Sequence, residues 1–188
     1  METIVVSIMG NLSPAARQQL GRYRYAVFVE QMKWDLPAVN PRIREEWDEF
    51  DREDTVNVIA YAADRSICGY ARLLRTTQPY LLSEVFAGLC SVPLICDSST
   101  WELSRFTTSH AGAELNAQRM RRLLREVFLQ AEHFGFQQLI GVAPCGMERL
   151  YRRLGLVLRA LGPVRTGGDG LAAFSLDIDA VGLRALSD

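Results

Sequence analysis

The sequence predicts an α/β (α+β) fold, in which a mixed, mostly antiparallel twisted sheet is flanked by helices on both faces. Three observations support this class. Segments with strand and helix patterns alternate along the chain, two consecutive strands are joined by a four-residue turn, and one long helix precedes a late strand as a crossover would. The length of 188 residues predicts a single domain, residues 1–188.

The first elements have clear start signals. Residues 2–9 alternate as a strand does, rather than as a signal peptide. Ser13 followed by Pro14 is a typical helix start, and apolar residues at helical spacing predict one helix from about 14 to 32. Residues 35–53 have no period, and a loop of this length in a compact domain is usually functional or disordered. The aromatic residues Trp34, Trp47 and Phe50 favour an ordered loop.

The later elements follow from the same patterns and from glycines that end helices. Gly135 ends the longest helix and Gly155 ends the next one. In order, the predicted elements are strands at 55–62 and 67–75, a short helix at 80–89, a strand at 100–107, a helix at 114–134, a strand at 136–142, a helix at 147–154 and strands near 156–161 and 171–178.

Composition and charge limit the classes of function. The net charge of −1 hides an asymmetry, because residues 37–66 hold eight acids against four arginines and residues 114–165 hold nine arginines against four acids. One region can therefore attract a cation and the other an acidic partner. We expect no nucleic acid or membrane partner, no metal, and a cytoplasmic protein whose four cysteines are reduced.

A run of aromatic and basic residues leads into a strongly acidic loop. It reads Tyr23-Arg24-x3-Phe28-x2-Gln31-x2-Trp34-x-Leu36-x9-Glu46-x-Asp48-x-Phe50-Asp51, with five acids between Glu45 and Asp51. Carboxylates can bind the charge of a cation while aromatic faces bind its apolar body. The pattern therefore predicts a pocket for a cation that carries an apolar group.

Two strands carry charges that need partners. Side chains two apart in a strand share a face, so Glu102 and Ser104 are expected on one face and Arg105 on the other. Arg72 lies inside the apolar strand GYARLL in the same way. A charge inside a sheet is costly unless it is paired. These residues form either a buried ion pair that fixes the register or the wall of a pocket beside the acidic loop.

The signature, together with GYARLL and WELSRF, resembles the acyl-homoserine-lactone synthases, the LuxI-type autoinducer synthases. That resemblance implies a GNAT-like fold and an enzyme that joins S-adenosylmethionine to the acyl group of an acyl carrier protein, releasing a lactone signal and methylthioadenosine. The resemblance favours the second alternative, in which the charged strand residues form the wall of a pocket beside the acidic loop. The implied site residues are Arg24, Phe28, Trp34, Asp48, Asp51, Arg72, Phe86, Glu102, Ser104 and Arg105.

The implied roles suit the chemistry of these side chains. We expect Asp48 or Asp51 to hold the cationic groups of S-adenosylmethionine, Arg24 to bind its carboxylate, and Phe28 and Trp34 to contact adenine or the sulfonium. We expect the catalytic residues to be Glu102, Arg72, Ser104 and Arg105. Glu102 is the hypothesised base for an amine with a pKa of about 8, and backbone near Arg105 the oxyanion donor. S-adenosylmethionine is a substrate, so no cofactor is expected.

Two further surfaces follow from the resemblance. Arg149 and Arg153, one helical turn apart, match the carrier-docking surface, and it is equally open whether Arg121, Arg122 and Arg125 extend it or form a solvated face. The acyl pocket is expected at Phe86, Gly141, Val142 and Ala143. No hydroxyl near residue 141 could bond a 3-oxo group, which favours an unsubstituted chain of roughly C6–C10.

Two other functions stay open from the sequence. The first is an acyl-CoA-dependent GNAT N-acyltransferase that acts on another amine, although residues 107–113 lack the Gln/Arg-x-x-Gly-x-Gly/Ala loop that binds the CoA pyrophosphate. The second is a non-catalytic domain that binds a small molecule. It would bind ligand without turnover and would not need Glu102.

Overall fold

The computed structural model describes residues 2–36, 39, 41–109, 112–144, 146–163 and 170–187. These residues form a seven-stranded sheet in the order β1-β2-β3-β4-β5-β7-β6, in which only β4 and β5 are parallel. The strands are β1 (Thr3–Ile8), β2 (Val56–Tyr61), β3 (Ile67–Arg75), β4 (Thr100–Thr108), β5 (Gln138–Pro144), β6 (Arg159–Ala160) and β7 (Leu171–Asp177). The predicted fold class is confirmed.

Helices cover both faces of this sheet. They are α1 (Pro14–Arg24), a π-helix (Tyr25–Gln31), α2 (Leu81–Glu84), α3 (Ala113–Phe134), α4 (Met147–Arg153) and α5 (Ala180–Ala185), with short 3₁₀ turns at Met9–Asn11 and Ala87–Leu89. α5 was not predicted, and the predicted helix at 80–89 is two short pieces. β6 is much shorter than predicted, and β5 begins two residues later.

The predicted helix at 14–32 is an α-helix only as far as Arg24 and continues as a π-helix to Gln31. Ser13 caps α1 by accepting a hydrogen bond from the backbone of Ala16, as expected. After Arg24 the turns widen, and the amide of Met32 donates to the carbonyl of Val27, five residues back. Such π-turns are rare and often lie at functional sites. Apolar spacing does not reveal them, because it does not report which carbonyl each amide bonds.

Three apolar clusters divide between the two faces of the sheet. On one face, α3 buries Leu123 and Val127 against strand residues such as Val58 and Leu103. The other face has two smaller clusters, one under α1 that contains Leu20, Ile59 and Tyr70, and one under α2. The second cluster contains Phe50, Leu74, Tyr80, Leu82, Leu89, Ile140 and Ala173. The polar residues Arg72, Glu102 and Ser104 share this face, between the two clusters.

Candidate active site

A β-bulge in β4 places Arg105 on the face that the sequence did not predict. Between the paired positions Tyr70↔Thr107 and Arg72↔Ser104, β4 has one more residue than β3. Arg105 takes up this extra residue with a φ of 52°, in the left-handed region that costs a non-glycine residue energy. The alternation slips by one, and the Arg105 side chain joins Ser104 instead of lying on the opposite face. The expectation of opposite faces was therefore wrong.

The charged residues form a closed ring of three arginines and three acids, in which every arginine contacts two acids and every acid two arginines. In order around the ring they are Arg24, Asp51, Arg72, Asp48, Arg105 and Glu46. The six nitrogen–oxygen contacts measure 2.5–3.0 Å. Ser104 accepts a further hydrogen bond from Arg72 Nε at 3.0 Å. The formal charges cancel, so burial of the ring does not leave a net charge in the interior.

Aromatic side chains surround this ring on several sides. The guanidinium of Arg24 lies over Trp47 and Tyr70, and that of Arg105 lies over Phe28 and Trp34 at 5.3 and 5.9 Å from the ring centroids. Phe28 and Trp34 stack on each other, with their centroids 5.0 Å apart. The amide of Trp34 bonds the carbonyl of Phe28, so the irregular end of the π-helix holds the stacked pair in place. Aromatic faces attract cations and also exclude water from the ion pairs.

Burial and pairing act against each other on the acids of the ring. Burial alone would raise the pKa of Asp51, but Arg24 and Arg72 lower it well below its usual value. Burial also opposes ionisation of Glu46, whose pKa Arg24 and Arg105 lower. Both acids are therefore ionised at neutral pH, and their charges are held by the arginines.

Glu102 lies on the same face but outside the ring. Its two carboxylate oxygens accept hydrogen bonds from the backbone amides of Leu81 and Leu82, each at 2.8 Å. Burial raises its pKa from 4.5 to about 7, although these two amides and Arg72 oppose the shift. A carboxylate with this pKa can accept a proton near neutral pH, which suits a general base.

The structure brings the predicted site residues together but changes the roles that some can have. Arg24 and Phe28 are 0% and 1% exposed, and Arg24 already binds two carboxylates. Arg24 therefore presents no exposed donor to a substrate carboxylate, which is at odds with the prediction. The side chain of Asp48 is 17% exposed and Trp34 is 40% exposed, so these two form the accessible edge.

One ring member was missed by the sequence analysis. Glu46 stands in the signature but was not assigned to the site, and it joins Arg24 to Arg105. Its residue type gives no signal, because five acids lie within seven residues of this loop and only the fold selects those that turn inward. Glu45, the adjacent acid, instead accepts a hydrogen bond from Trp47.

The predicted acyl-pocket residues divide between the two faces of β5. Val142 packs against the cluster under α2, and so does Phe86. Gly141 faces the other way, because a Cβ there would meet the Leu103 carbonyl at 2.6 Å and the Phe174 ring. Ala143 alternates to the same side as Gly141. Of the three predicted β5 residues, only Val142 therefore lines the face that carries Glu102.

The predicted basic surface also divides in two. Arg149 and Arg153 are exposed on α4, and the described residues provide no hydrogen bond or ion pair to either. The three arginines on α3 have internal partners: Arg121 bonds the Ala185 carbonyl, Arg122 pairs with Glu2, and Arg125 bonds Ser187. Those three bind the first and last segments of the fold to α3.

The described ranges lack two features, a metal-binding cluster and a membrane-spanning helix. No group of three or more metal-binding side chains was found in them. No helix among them is both long and apolar enough to cross a membrane.

A mostly antiparallel sheet with one parallel pair of strands, β4 and β5, is the sheet of the GNAT-like fold. An acyl-CoA N-acyltransferase of Pseudomonas aeruginosa shares this fold, with a TM-score of 0.61 over 93% of this chain and 99% of its own at 16% identity. That likeness concerns the fold alone.

Sequence comparison identifies the family. The family described as "Autoinducer synthase" matches residues 10–185. An acyl-homoserine-lactone synthase of Ralstonia nicotianae is 42% identical, covering 94% of this chain and 89% of the relative, and one of Acinetobacter nosocomialis is 39% identical, covering 94% and 98%. The chain therefore belongs to the autoinducer synthase family and is an acyltransferase of the acyl-homoserine-lactone synthase class. The resemblance seen in the signature is confirmed, and the non-catalytic alternative is excluded.

Solved structures agree with this assignment. TofI in a ternary complex with an inhibitor and MTA is 40% identical, with a TM-score of 0.86 over 98% of this chain and 96% of its own. BjaI, a CoA-dependent acyl-homoserine lactone synthase solved with SAM and isopentyl-CoA, is 28% identical, with a TM-score of 0.86 over 100% and 89%.

Proposed function

We propose that this chain transfers an unsubstituted acyl chain of medium length from an acyl carrier protein to the α-amine of S-adenosylmethionine, and then closes the lactone. In the first step the amine nitrogen bonds the thioester carbon, and the carrier thiol leaves with a proton. In the second step the carboxylate oxygen attacks the carbon next to the sulfonium, and methylthioadenosine leaves. Both steps need only proton transfer and a good leaving group, so the proposal includes no cofactor or metal.

The observation that carries the proposal is Glu102 beside the closed charge ring. The amine of S-adenosylmethionine is protonated near neutral pH, with a pKa of about 8 in water. It must lose this proton before it attacks the thioester, and Glu102 has a pKa of about 7. Each Glu102 oxygen accepts one hydrogen bond from a backbone amide and keeps a second lone pair to accept from the amine, directly or through one water.

Among the ring and the aromatic residues around it, exposure separates residues that can contact the substrate from residues that position them. We assign the contact with the cationic groups to Asp48 and the contact with adenine or the sulfonium to Trp34, because both have accessible surface. Arg24 and Asp51 are held inside the protein, so we assign them the task of fixing Asp48 and Arg105 in place.

Backbone groups of β4 can hold the thioester oxygen. The parallel pairs of β4 with β5 are Thr100↔Gln138, Trp101↔Leu139 and Glu102↔Ile140, and the ladder runs no further along β4. On the other side, the β3 register skips Arg105. We therefore assign the oxyanion that forms on the thioester carbon to backbone amides of β4 near Arg105.

The proposed donor is a carrier protein because of α4. Carrier proteins are acidic, and Arg149 and Arg153 present two exposed charges that no described residue neutralises. A CoA thioester is the second candidate donor, because BjaI and MesI, which are 28% and 27% identical, are described as CoA-dependent. Both substrates are made inside the cell, so the proposal places the enzyme in the cytoplasm.

The experiment is a competition among donors. The purified chain is incubated with S-adenosylmethionine and a pool of acyl thioesters from C4 to C12, with and without a 3-oxo group, on carrier protein or on CoA. Mass spectrometry of the lactones reports the chain, and separate donor pools report the carrier. We expect unsubstituted C6–C10 lactones made faster from the carrier pool. Products dominated by 3-oxo lactones, or faster turnover of CoA thioesters, would overturn the respective part of the proposal.

A further inference from the structure

Gly21 lies inside α1, at a position where glycine is an unfavourable residue. Glycine is disfavoured in a helix interior because it loses more backbone entropy on folding than other residues do. The φ of Gly21 lies outside the left-handed region, so the backbone angle does not require glycine here. The residue is buried, and the reason for glycine is the side chain that packs against it.

The indole of Trp47 occupies the space that a side chain at residue 21 would need. A Cβ on Gly21 would lie 2.7 Å from Trp47 Cζ2 and 2.8 Å from both Cε2 and Nε1. The indole is half-buried against the cluster under α1. Its edge is also fixed, because Nε1 donates a hydrogen bond to Glu45 at 3.1 Å. The indole therefore has less freedom to move aside than a flexible side chain would.

The same contact docks the acidic loop onto α1. The amide of Glu46 donates to the Gly21 carbonyl at 3.0 Å, and the next residue is Trp47. One helical turn after Gly21, the guanidinium of Arg24 lies over the indole, at 5.1 Å from its centroid. The backbone bond and the indole contact thus set the separation between helix and loop at the point where Arg24 pairs with Glu46.

This separation determines the geometry of the accessible part of the charge ring. Glu46 and Asp48 flank Trp47, and both pair with Arg105. Asp48 also pairs with Arg72. Because β3 and β4 hold the two arginines, a displacement of Trp47 from α1 would move both acids relative to their partners. Asp48 is the residue assigned to the cationic groups of S-adenosylmethionine, so the affinity for this substrate should depend on the separation.

We propose that Gly21 and Trp47 are positioning residues for the S-adenosylmethionine site, which hold the acidic loop against α1 at the separation that the charge ring requires. The inference rests on the proposed function and adds two residues to it. Trp47 fills a position that the signature leaves open between Glu46 and Asp48. Both residues act through the loop and not by contact with the substrate.

Gly21→Ala adds one methyl group under the indole and should push the loop outward. We expect the Kd and the KM for S-adenosylmethionine to rise about tenfold or more, as for the loss of one hydrogen bond to a charged group. The kcat and the KM for the acyl donor should stay within about twofold of wild type, because Glu102 and the exposed arginines of α4 take no part in this contact.

Removal of the indole tests the contact itself. Trp47→Leu deletes Cζ2, Cε2 and Nε1, the three atoms nearest to the added methyl group. Trp47→Leu alone should weaken binding of S-adenosylmethionine. In that background Gly21→Ala no longer meets the indole, so it should change the Kd by less than about twofold. An equal effect of Gly21→Ala in the two backgrounds would show that the two residues do not act together and would overturn the inference.

Gly182→Ala is the matched control for crowding in a helix. A Cβ on Gly182, in α5, would lie 2.7 Å from Phe128 Cε1, a side chain of the core under α3. This variant should lower the thermal midpoint without a change in the Kd for S-adenosylmethionine. A rise in Kd as large as that of Gly21→Ala would mean that any loss of packing weakens the site, and would contradict a specific role for Gly21.

The experiment combines isothermal titration calorimetry of S-adenosylmethionine with steady-state kinetics of lactone synthesis. If wild-type protein makes no lactone, the proposed function fails. If it makes lactone but Gly21→Ala keeps the wild-type Kd and KM for S-adenosylmethionine, the inference fails and the function stands. Should Gly21→Ala alone not fold, the double variant with Trp47→Leu decides. Folding and binding like those of Trp47→Leu support the inference, and a double variant that does not fold overturns it.

Discussion

Replacement of Glu102 by glutamine removes the carboxylate that the proposed reaction uses as its base. Glutamine keeps the size of the side chain, but it accepts hydrogen bonds through one oxygen only, so one of the two amides at Leu81 and Leu82 loses its partner. We expect the acylation rate to fall by on the order of 10² or more. The matched control is Glu84→Gln. Glu84 is an exposed acid on α2, the helix whose first amides Glu102 accepts, and its replacement should keep wild-type activity.

The pH dependence of the acylation rate gives the role of Glu102 a second test. Because burial raises the pKa of Glu102 to about 7, about half of the enzyme carries the ionised base at pH 7. Below this pH the rate should fall about tenfold per pH unit. A limb near pH 8 from the amine of S-adenosylmethionine should remain in the glutamine variant, whereas the limb near pH 7 should vanish. Activity of Glu102→Gln within a few-fold of wild type, or a wild-type rate that is flat from pH 6 to 8, would refute the assignment.

The Glu102 carboxyl also makes the free energy of unfolding depend on pH. Burial raises the folded-state pKa of Glu102 above its unfolded value of 4.5, so the folded protein binds this proton more tightly. The favourable contribution is complete below about 4.5 and is lost as the pH rises through about 7, a change of about 3 kcal/mol. In urea denaturation, the free energy of unfolding of Glu102→Gln should therefore fall less between pH 5 and 8 than that of the wild type.

Three further predictions concern the charge ring and the docking surface. Arg24→Met leaves Glu46 and Asp51 buried with one partner fewer, and should lower the free energy of unfolding by about 3–5 kcal/mol in urea titrations. Because pairing lowers the pKa of both acids, their contribution to stability is present above about pH 4 and is lost as the pH falls, so the thermal midpoint should drop steeply in acid. Reversal of Arg149 and Arg153 to glutamate should raise KM for the acyl carrier and flatten its salt dependence, without changing the KM for a CoA thioester.

The two predictions that rest on substitutions each have a control within the chain. For the ring it is Arg152→Met, which breaks the exposed pair with Glu148 and should cost less than about 1 kcal/mol. For the docking surface it is Arg22→Glu, an exposed arginine on α1. A cost for Arg24→Met no larger than that of Arg152→Met would contradict the account of the ring. If the reversals of Arg149 and Arg153 change the carrier kinetics no more than Arg22→Glu does, the exposed face of α4 is an ordinary solvated surface.

The sequence predicts the order and type of the regular helices and strands better than their local irregularities. Hairpin signals and glycine stops suffice for β2, β3 and α3, because those features act locally. The π-helix and the bulge at Arg105 depend on tertiary contacts, and each adds one residue within a turn or strand. The ion pairs and aromatic contacts of Arg105 help to offset the energetic cost of its left-handed backbone. No periodicity in the sequence encodes either feature.

The candidate site shows the same division. Family motifs selected Asp48, Arg72 and Glu102 correctly as neighbours, because a motif records which residues act together. They did not reveal that Arg24 is wholly buried or that Glu46 completes the ring. Which charges face a substrate and which face one another depends on burial, and burial of a loop residue is decided by the whole fold.

The most direct measurement is a time course of all products in one reaction. Purified protein, S-adenosylmethionine and a C8 acyl carrier are mixed, and mass spectrometry follows lactone, methylthioadenosine and free carrier thiol. We expect the three to appear in a ratio of 1:1:1, with all of them lost together in Glu102→Gln. An acylated S-adenosylmethionine that accumulates without methylthioadenosine, or a full yield from the glutamine variant, would contradict the proposed reaction.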